Sequence, residues 1–151
     1  MTIHWKRTIL AGIIGTLVFD IAGLLLTGQW WDIPSLLSGK LGLPLPIGVL
    51  AHYSNGAILA VLYDALAPSL WGPRPVRALT YISAHTVFGV WLFMLPILGM
   101  GVAGLGMSPM MPVITLLRHW AYGLVLASLV PIHAAQPAVE QWSGVTAKVA
   151  A

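Results

Sequence analysis

Long runs of apolar residues alternate with short polar or proline-rich connections along this chain. Four runs each approach the roughly 20 residues that a helix needs to cross the apolar core of a bilayer. They cover residues 8–27, 47–66, 78–98 and 112–131. Pro46 and Pro112 stand at the start of two runs, where the missing N–H of proline costs a helix little. The pattern predicts an all-α fold, a polytopic four-helix transmembrane bundle.

A mixed stretch, WWDIPSLLSGKLGL, separates the first two runs. It interleaves aromatic, apolar and polar residues, and tryptophans are enriched where a membrane meets water. We therefore expect residues 30–43 to form a short segment lying in the interface. We predict that residues 134–151 form a short polar tail. The whole chain, 1–151, is predicted to be a single transmembrane domain.

The composition excludes several classes of protein. Of the 151 residues 58% are hydrophobic and only 7% charged, whereas soluble domains carry about a quarter charged residues. Such a chain cannot cover its surface with polar groups and needs the lipid bilayer as its solvent. The absence of cysteine excludes disulfides, iron–sulfur clusters and thiolate metal sites. A net charge of +3 is too small and too scattered to predict a nucleic-acid partner.

Basic residues near the apolar runs predict the topology. Lys6 and Arg7 precede the first run, and Arg74 and Arg77 lie between the second and the third. Cytoplasmic loops carry an excess of lysine and arginine. Both termini are therefore predicted to be cytoplasmic.

Two similar sequence segments place a histidine inside an apolar run. They are LAHYSNGAIL, with His52, and LRHWAYGLVL, with His119. Counting about 1.5 Å of rise per residue puts His52, His119 and Asp20 at one level, roughly 10 Å from one membrane edge. Arg118 shares that level, and Asp20 would neutralise it. His85 is expected somewhat deeper. In an up-down bundle the second and fourth helices are diagonal, so His52 and His119 would face each other.

Three interpretations of these residues stay open. In the first, His52 and His119 are the axial ligands of a b-type haem, Gly56 and Gly123 make room for the porphyrin, and Arg118 pairs with a propionate. In the second, a transition metal is bound by imidazole and carboxylate ligands, namely His52, His119, Asp20 and His85. In the third, the histidines only form hydrogen bonds between helices.

Function is harder to predict. The chain shows no nucleophile–base pair or phosphate-binding loop, so we do not expect an autonomous enzyme. We expect a small subunit of a larger redox complex, respiratory or photosynthetic, that holds a haem or metal. The alternative is a structural accessory subunit binding lipid, quinone or pigment. A solute or metal-ion permease working as a homo-oligomer comes third, because thioethers bind Cu(I), and a loop carries Met100, Met107, Met110 and Met111.

Three stretches in this order carry a family resemblance: LAHYSNG…LYDALAP, FGVWLFMLPILGMGVAGLG and LRHWAYGLVLASLV. The chain resembles a group of small, uncharacterised four-helix bacterial membrane proteins over most of residues 8–131. The resemblance implies a four-helix fold in a bacterial inner membrane and implies no activity. Asp20 departs from the apolar or methionine character of that helix in the group.

Overall fold

A computed structural model describes residues 3–132 of the chain, and within that range every regular element is helical. The predicted tail, 134–151, lies outside the described residues. The five helices are α1 (Trp5–Thr27), α2 (Asp32–Leu41), α3 (Leu45–Leu66), α4 (Arg74–Ile97) and α5 (Met111–Leu129). Short 3₁₀ turns follow α3 and interrupt the connection between α4 and α5.

All of these helices except α2 are long and apolar enough to cross a membrane. This confirms the prediction of four such helices within residues 3–132. All four long helices begin earlier than the apolar runs, and the difference is largest for α1, which begins at Trp5, and for α4, which begins at Arg74. The reason is that a helix is held by its backbone hydrogen bonds and continues through polar side chains. The short helix α2 lies within residues 30–43, for which we predicted an interfacial segment.

The bundle has one open side. Helix α1 packs against both α3 and α5, α5 also packs against α4, and α2 lies on α3. Helices α3 and α4, in contrast, share few close contacts. A cleft therefore separates α3 from α4, and α3 and α5 are diagonal, as expected for an up-down bundle.

Glycines allow the closest helix approaches. A Cβ atom at Gly12 would lie 2.6 Å from the carbonyl oxygen of Gly56, so α1 and α3 touch backbone to backbone. A Cβ atom at Gly123 would lie 2.9 Å from Ile82 Cγ2, which fits α5 against α4. Small residues serve such contacts widely in membrane bundles. Gly123 thus lies in a helix–helix contact, away from the space between α3 and α4.

The surface of the bundle is apolar, and its interior combines an apolar core with many polar side chains. Large apolar side chains face outward, with Leu25 80% and Phe88 69% exposed. Buried positions include many polar groups: Thr8, Thr16, Asp20, His52, Asp64, Thr86, Thr115, Arg118 and His119. Apolar side chains outside and polar groups inside are the arrangement expected of a bundle surrounded by lipid.

One end of the bundle, which we name the closed end, is defined by Arg7, Thr8, Asp64, Arg74 and Arg77. The Thr8 hydroxyl donates a buried hydrogen bond to Asp64 at 2.7 Å. The arginines donate to backbone carbonyl groups, three of them where α3 and α5 finish, a favourable place for cations, and one in the loop before α4. Their acceptors are Leu129, Val130, Gly72 and Ala67. The closed end is thus tied together by side chain–backbone hydrogen bonds.

Candidate functional site

A cavity of about 980 Å³ lies between α3 and α4, and we name it the α3–α4 cavity. Helices α1 and α5 form its far wall, and α2 with the α4–α5 connection covers it at the end away from the closed end. Most of the lining is apolar. The lining polar side chains are Thr16, Thr27, Gln29, Asp32, Ser35, Asn55, Thr115, His52, His85, Arg118, His119 and Tyr122.

Asp20 and His52 form a buried pair beside this cavity. The Nε2 atom of His52 lies 3.0 Å from Asp20 Oδ1, and the Tyr53 hydroxyl donates to Asp20 Oδ2 at 3.2 Å. His52 lines the cavity, whereas Asp20 lies behind it on α1. The hydrogen bond confirms that Asp20 and His52 lie at one level.

Arg118 has a different partner from the one predicted. It donates two hydrogen bonds to Asp32, at 2.6 and 2.8 Å, and is only 3% exposed. Its Cζ atom also lies 4.3 Å from the ring centroid of Phe19, and Gly23 provides the space for it on α1. The predicted Asp20–Arg118 pair is therefore wrong, because α2 brings Asp32 to the guanidinium while Asp20 is engaged by His52.

Asp32 was not predicted as a site residue. It lies in the first turn of α2, within a stretch read only as an interfacial segment. The available signal was weak: a single acidic residue beside two tryptophans. Its pairing depends on where α2 docks, which side-chain patterns within one helix do not specify.

His119 is oriented by the helix that carries it. Its Nδ1 atom lies 2.6 Å from the backbone carbonyl oxygen of Thr115, which assigns the proton to Nδ1 and leaves Nε2 as the acceptor nitrogen. The Thr115 hydroxyl receives a hydrogen bond from Trp91 Nε1 at 2.8 Å. The ring of His85 lies near, with its centroid 5.8 Å from that of His119. Histidines of α4 and α5 thus meet at the cavity wall.

Phe19 contacts both of the predicted ligand histidines. Its ring centroid lies 5.5 Å from that of His52 and 5.0 Å from that of His119. To ligate a haem iron through Nε2, His52 would have to leave Asp20. The haem therefore stays a prediction. Within residues 3–132 no group of three His, Asp or Glu side chains is placed to hold a metal ion, and the metal set built on Asp20 also stays a prediction.

Helix α4 changes character where it borders the cavity. Its segment Thr86–Met94 is a π-helix, in which hydrogen bonds join residues five apart. The same spacing aligns His85, Val90 and Leu95 on the cavity wall, with Gly89 and Met94 beside them. Most π-helical stretches are single turns and occur frequently at functional sites. The sequence contained no signal for this segment.

The two predicted glycines differ in position. Gly56 lies on the cavity wall, where its carbonyl group accepts a hydrogen bond from Tyr122 at 2.7 Å. This bond joins α3 and α5 across the bundle diagonal. Gly123 does not line the cavity. Of the pair, only Gly56 is placed to contact a ligand there.

Comparison with protein-family models, with curated proteins and with solved structures found no match to this chain. The resemblance to small four-helix bacterial proteins therefore stays a prediction, and the function has to be argued from the α3–α4 cavity.

Proposed function

We propose that this chain is an integral membrane protein that binds an amphipathic molecule, with an oxygen-bearing head and an apolar chain, in the α3–α4 cavity. The observation that carries this proposal is the cavity itself. Ligand sites commonly measure about 300–1,000 Å³, mostly apolar with a few polar groups that fix orientation. At about 980 Å³ the α3–α4 cavity reaches the upper part of that range.

The polar lining favours a neutral head group. Asp32 neutralises Arg118 through two hydrogen bonds, so the guanidinium offers little net charge to a phosphate. His52 and His119 both line the cavity, and imidazoles donate or accept hydrogen bonds. Because His119 donates through Nδ1 to Thr115 and His52 is held through Nε2 by Asp20, the remaining nitrogen of each neutral ring is an acceptor, and its natural partner is a hydroxyl group such as that of a quinol. Within the amphipathic class this favours a quinone-type molecule over a phospholipid.

The open side of the bundle supports entry from the bilayer. Phe93 of α4, 64% exposed, and Asn55 of α3, also exposed, both border the cavity. A long apolar chain would leave between these helices into lipid. We also propose a bacterial inner-membrane location with the closed end facing the cytoplasm, since the basic residues Arg7, Arg74 and Arg77 lie there.

A matched pair of variants tests the proposal. Asn55 borders the cavity, whereas its neighbour Ser54 is exposed and does not line it. Asn55→Trp places an indole in the ligand space, and Ser54→Trp places the same indole toward lipid. Each protein would be purified in mild detergent, washed to remove loosely held lipid, extracted and examined by mass spectrometry.

Wild type and Ser54→Trp are expected to retain one amphipathic species at near-equal molar amount. Asn55→Trp should retain about tenfold less, which corresponds to about 1.4 kcal/mol of lost binding free energy. The mass of the species decides between a quinone-type molecule and a lipid. Equal retention by both variants, or no retained species in wild type, would overturn the proposal.

A haem between His52 and His119 is the second candidate. What favours it is the Thr115 carbonyl on His119 Nδ1, since ligating histidines usually hold their second nitrogen in this way. A reduced-minus-oxidised absorption spectrum with a sharp α-band that disappears in His119→Ala would select the haem over the amphipathic molecule. Membership of a larger redox complex is a further prediction, tested by copurification from native membranes.

A further inference from the structure

Methionine is confined to one stretch of this chain. The sequence has six methionines, and apart from Met1 all of them lie within residues 94–111. Leucine, in contrast, occurs in every helix. Methionine used only as adaptable apolar filler would not need to gather in a single segment.

The structure sorts these methionines into two groups. Four line the α3–α4 cavity: Met94 at the end of the π-helical segment, Met100 and Met107 in the α4–α5 connection, and Met111 at the start of α5. Met110, next to Met111 in sequence, does not line the cavity, although its exposed fraction of 55% matches the 56% of Met107. The chain therefore supplies four thioethers from three segments to the lining of one cavity, together with a matched control.

Backbone hydrogen bonds fold the connection tightly around the residues that carry Met100 and Met107. The Gly106 N–H donates to the Met100 carbonyl group at 3.0 Å, and the Met107 N–H donates to Gly104 at 2.9 Å. Gly104 has a φ of +78°, and a Cβ atom there would collide with Met111. The glycine is thus required both for the turn and for the approach of the Met111 side chain.

The charge around these thioethers selects the class of ion. No Lys, Arg, Asp or Glu occurs between Arg77 and Arg118, and the two charged side chains that also line the cavity, Asp32 and Arg118, neutralise each other. Hard divalent cations require carboxylate or carbonyl oxygens and water, whereas thioethers select soft Cu(I). Neutral ligands in an apolar wall also disfavour a second unit of charge.

We propose that Met94, Met100, Met107 and Met111 form a thioether site for a soft monovalent cation, Cu(I), on the wall of the α3–α4 cavity. This site uses none of the histidines and goes beyond the binding of an amphipathic molecule. It differs from the predicted metal set of His52, His119, Asp20 and His85.

The test uses Ag(I), which has the same charge and softness as Cu(I) and is stable to air. The full chain would be labelled with [methyl-¹³C]methionine in detergent and titrated with Ag(I). The methyl resonances of the four lining methionines should shift, with that of Met110 unchanged. A triple variant, Met100→Leu, Met107→Leu and Met111→Leu, should retain at least about tenfold less silver after desalting, and Met110→Leu should match wild type. Leucine preserves volume, so folding should change little.

Two results would overturn the proposal: no methyl shift in wild type, or equal silver retention by the triple variant. If the triple variant does not fold, the shifts of the methyl resonances in wild type still decide whether the lining methionines bind Ag(I). The amphipathic ligand should persist in the triple variant, because leucine maintains the apolar wall. Silver binding without any retained amphipathic molecule would contradict the proposed function alone.

Discussion

The two ends of this bundle each bury an acidic residue between α1 and α3, but the two residues have different hydrogen-bond partners. At the closed end, Asp64 of α3 accepts a hydrogen bond from Thr8 of α1. Toward the cavity, Asp20 of α1 pairs with His52 of α3. The same pair of helices thus carries a carboxylate at each end, with a hydroxyl partner at one and an imidazole partner at the other.

The surroundings differ as well. Arginines at the closed end bind backbone carbonyl groups, so their role is to hold helix ends. Near the cavity, charged side chains bind each other, as Arg118 and Asp32 do. Both of these side chains line the cavity. Buried ionisable groups beside a cavity are candidates for function, whereas those closed in by packing are explained by stability. The buried polar groups of the closed end are therefore explained by structure, whereas those beside the cavity are the ones that the proposed function assigns to ligand binding.

The largest expected effect on stability is at the Arg118–Asp32 pair. Asp32→Asn removes the negative charge and leaves a nearly buried guanidinium without compensation, which costs about 3 kcal/mol. Thermal unfolding in detergent would measure the loss. Lys40→Gln, an exposed change on the same helix α2, is the control and should alter stability by less than about 0.5 kcal/mol. Equal stability of Asp32→Asn and wild type would mean that this pair does not hold α2 to α5.

The next effect tests the closed end. Thr8→Val keeps the side-chain shape but leaves the buried Asp64 carboxylate without the hydroxyl donor, at a cost of about 1–3 kcal/mol. Retention of the amphipathic molecule should be unchanged, because Thr8 and Asp64 do not line the cavity. Unfolding and retention would be measured on the same sample. A loss of ligand at full stability would contradict the division between the two ends.

Much of this architecture was predictable, because apolar runs of bilayer length specify helices directly. The level shared by Asp20 and His52 was predictable too, since helical rise is constant. The partner of Arg118 was not. It depends on α2 docking against α3, where a Cβ atom at Gly48 would collide with Pro34 and Ser38.

Two features of the site depend on contacts between helices and not on local sequence. The π-helical segment Thr86–Met94 includes Trp91, which donates a hydrogen bond to the Thr115 hydroxyl of α5. The position of Phe19 between His52 and His119 follows from the rotation of α1, which an apolar run does not reveal. Residues that line the cavity were therefore predictable from the sequence, whereas their partners on other helices were not.

A smaller change sharpens the comparison on the cavity side. His52→Gln removes an imidazole from the cavity wall while leaving an amide that can still donate to Asp20. Ligand affinity should fall about tenfold, as expected for one lost hydrogen bond of about 1.4 kcal/mol. Stability should fall by about 1 kcal/mol or less. Titration of the delipidated protein with the identified ligand would measure the affinity, with Thr8→Val as the control that loses stability instead.

The smallest expected effect is at Tyr53, the second partner of Asp20. Tyr53→Phe removes a hydrogen bond of 3.2 Å but leaves His52 on the carboxylate, so the cost should be about 0.6 kcal/mol, the average for polar contacts between membrane helices. Affinity should change by less than about twofold, since Tyr53 does not line the cavity. The same unfolding and titration measurements apply. Because Thr8→Val deprives Asp64 of its donor while Tyr53→Phe leaves Asp20 with one, the closed-end variant should be the less stable; the reverse order would show that Asp20 depends on its hydroxyl partner more than on His52.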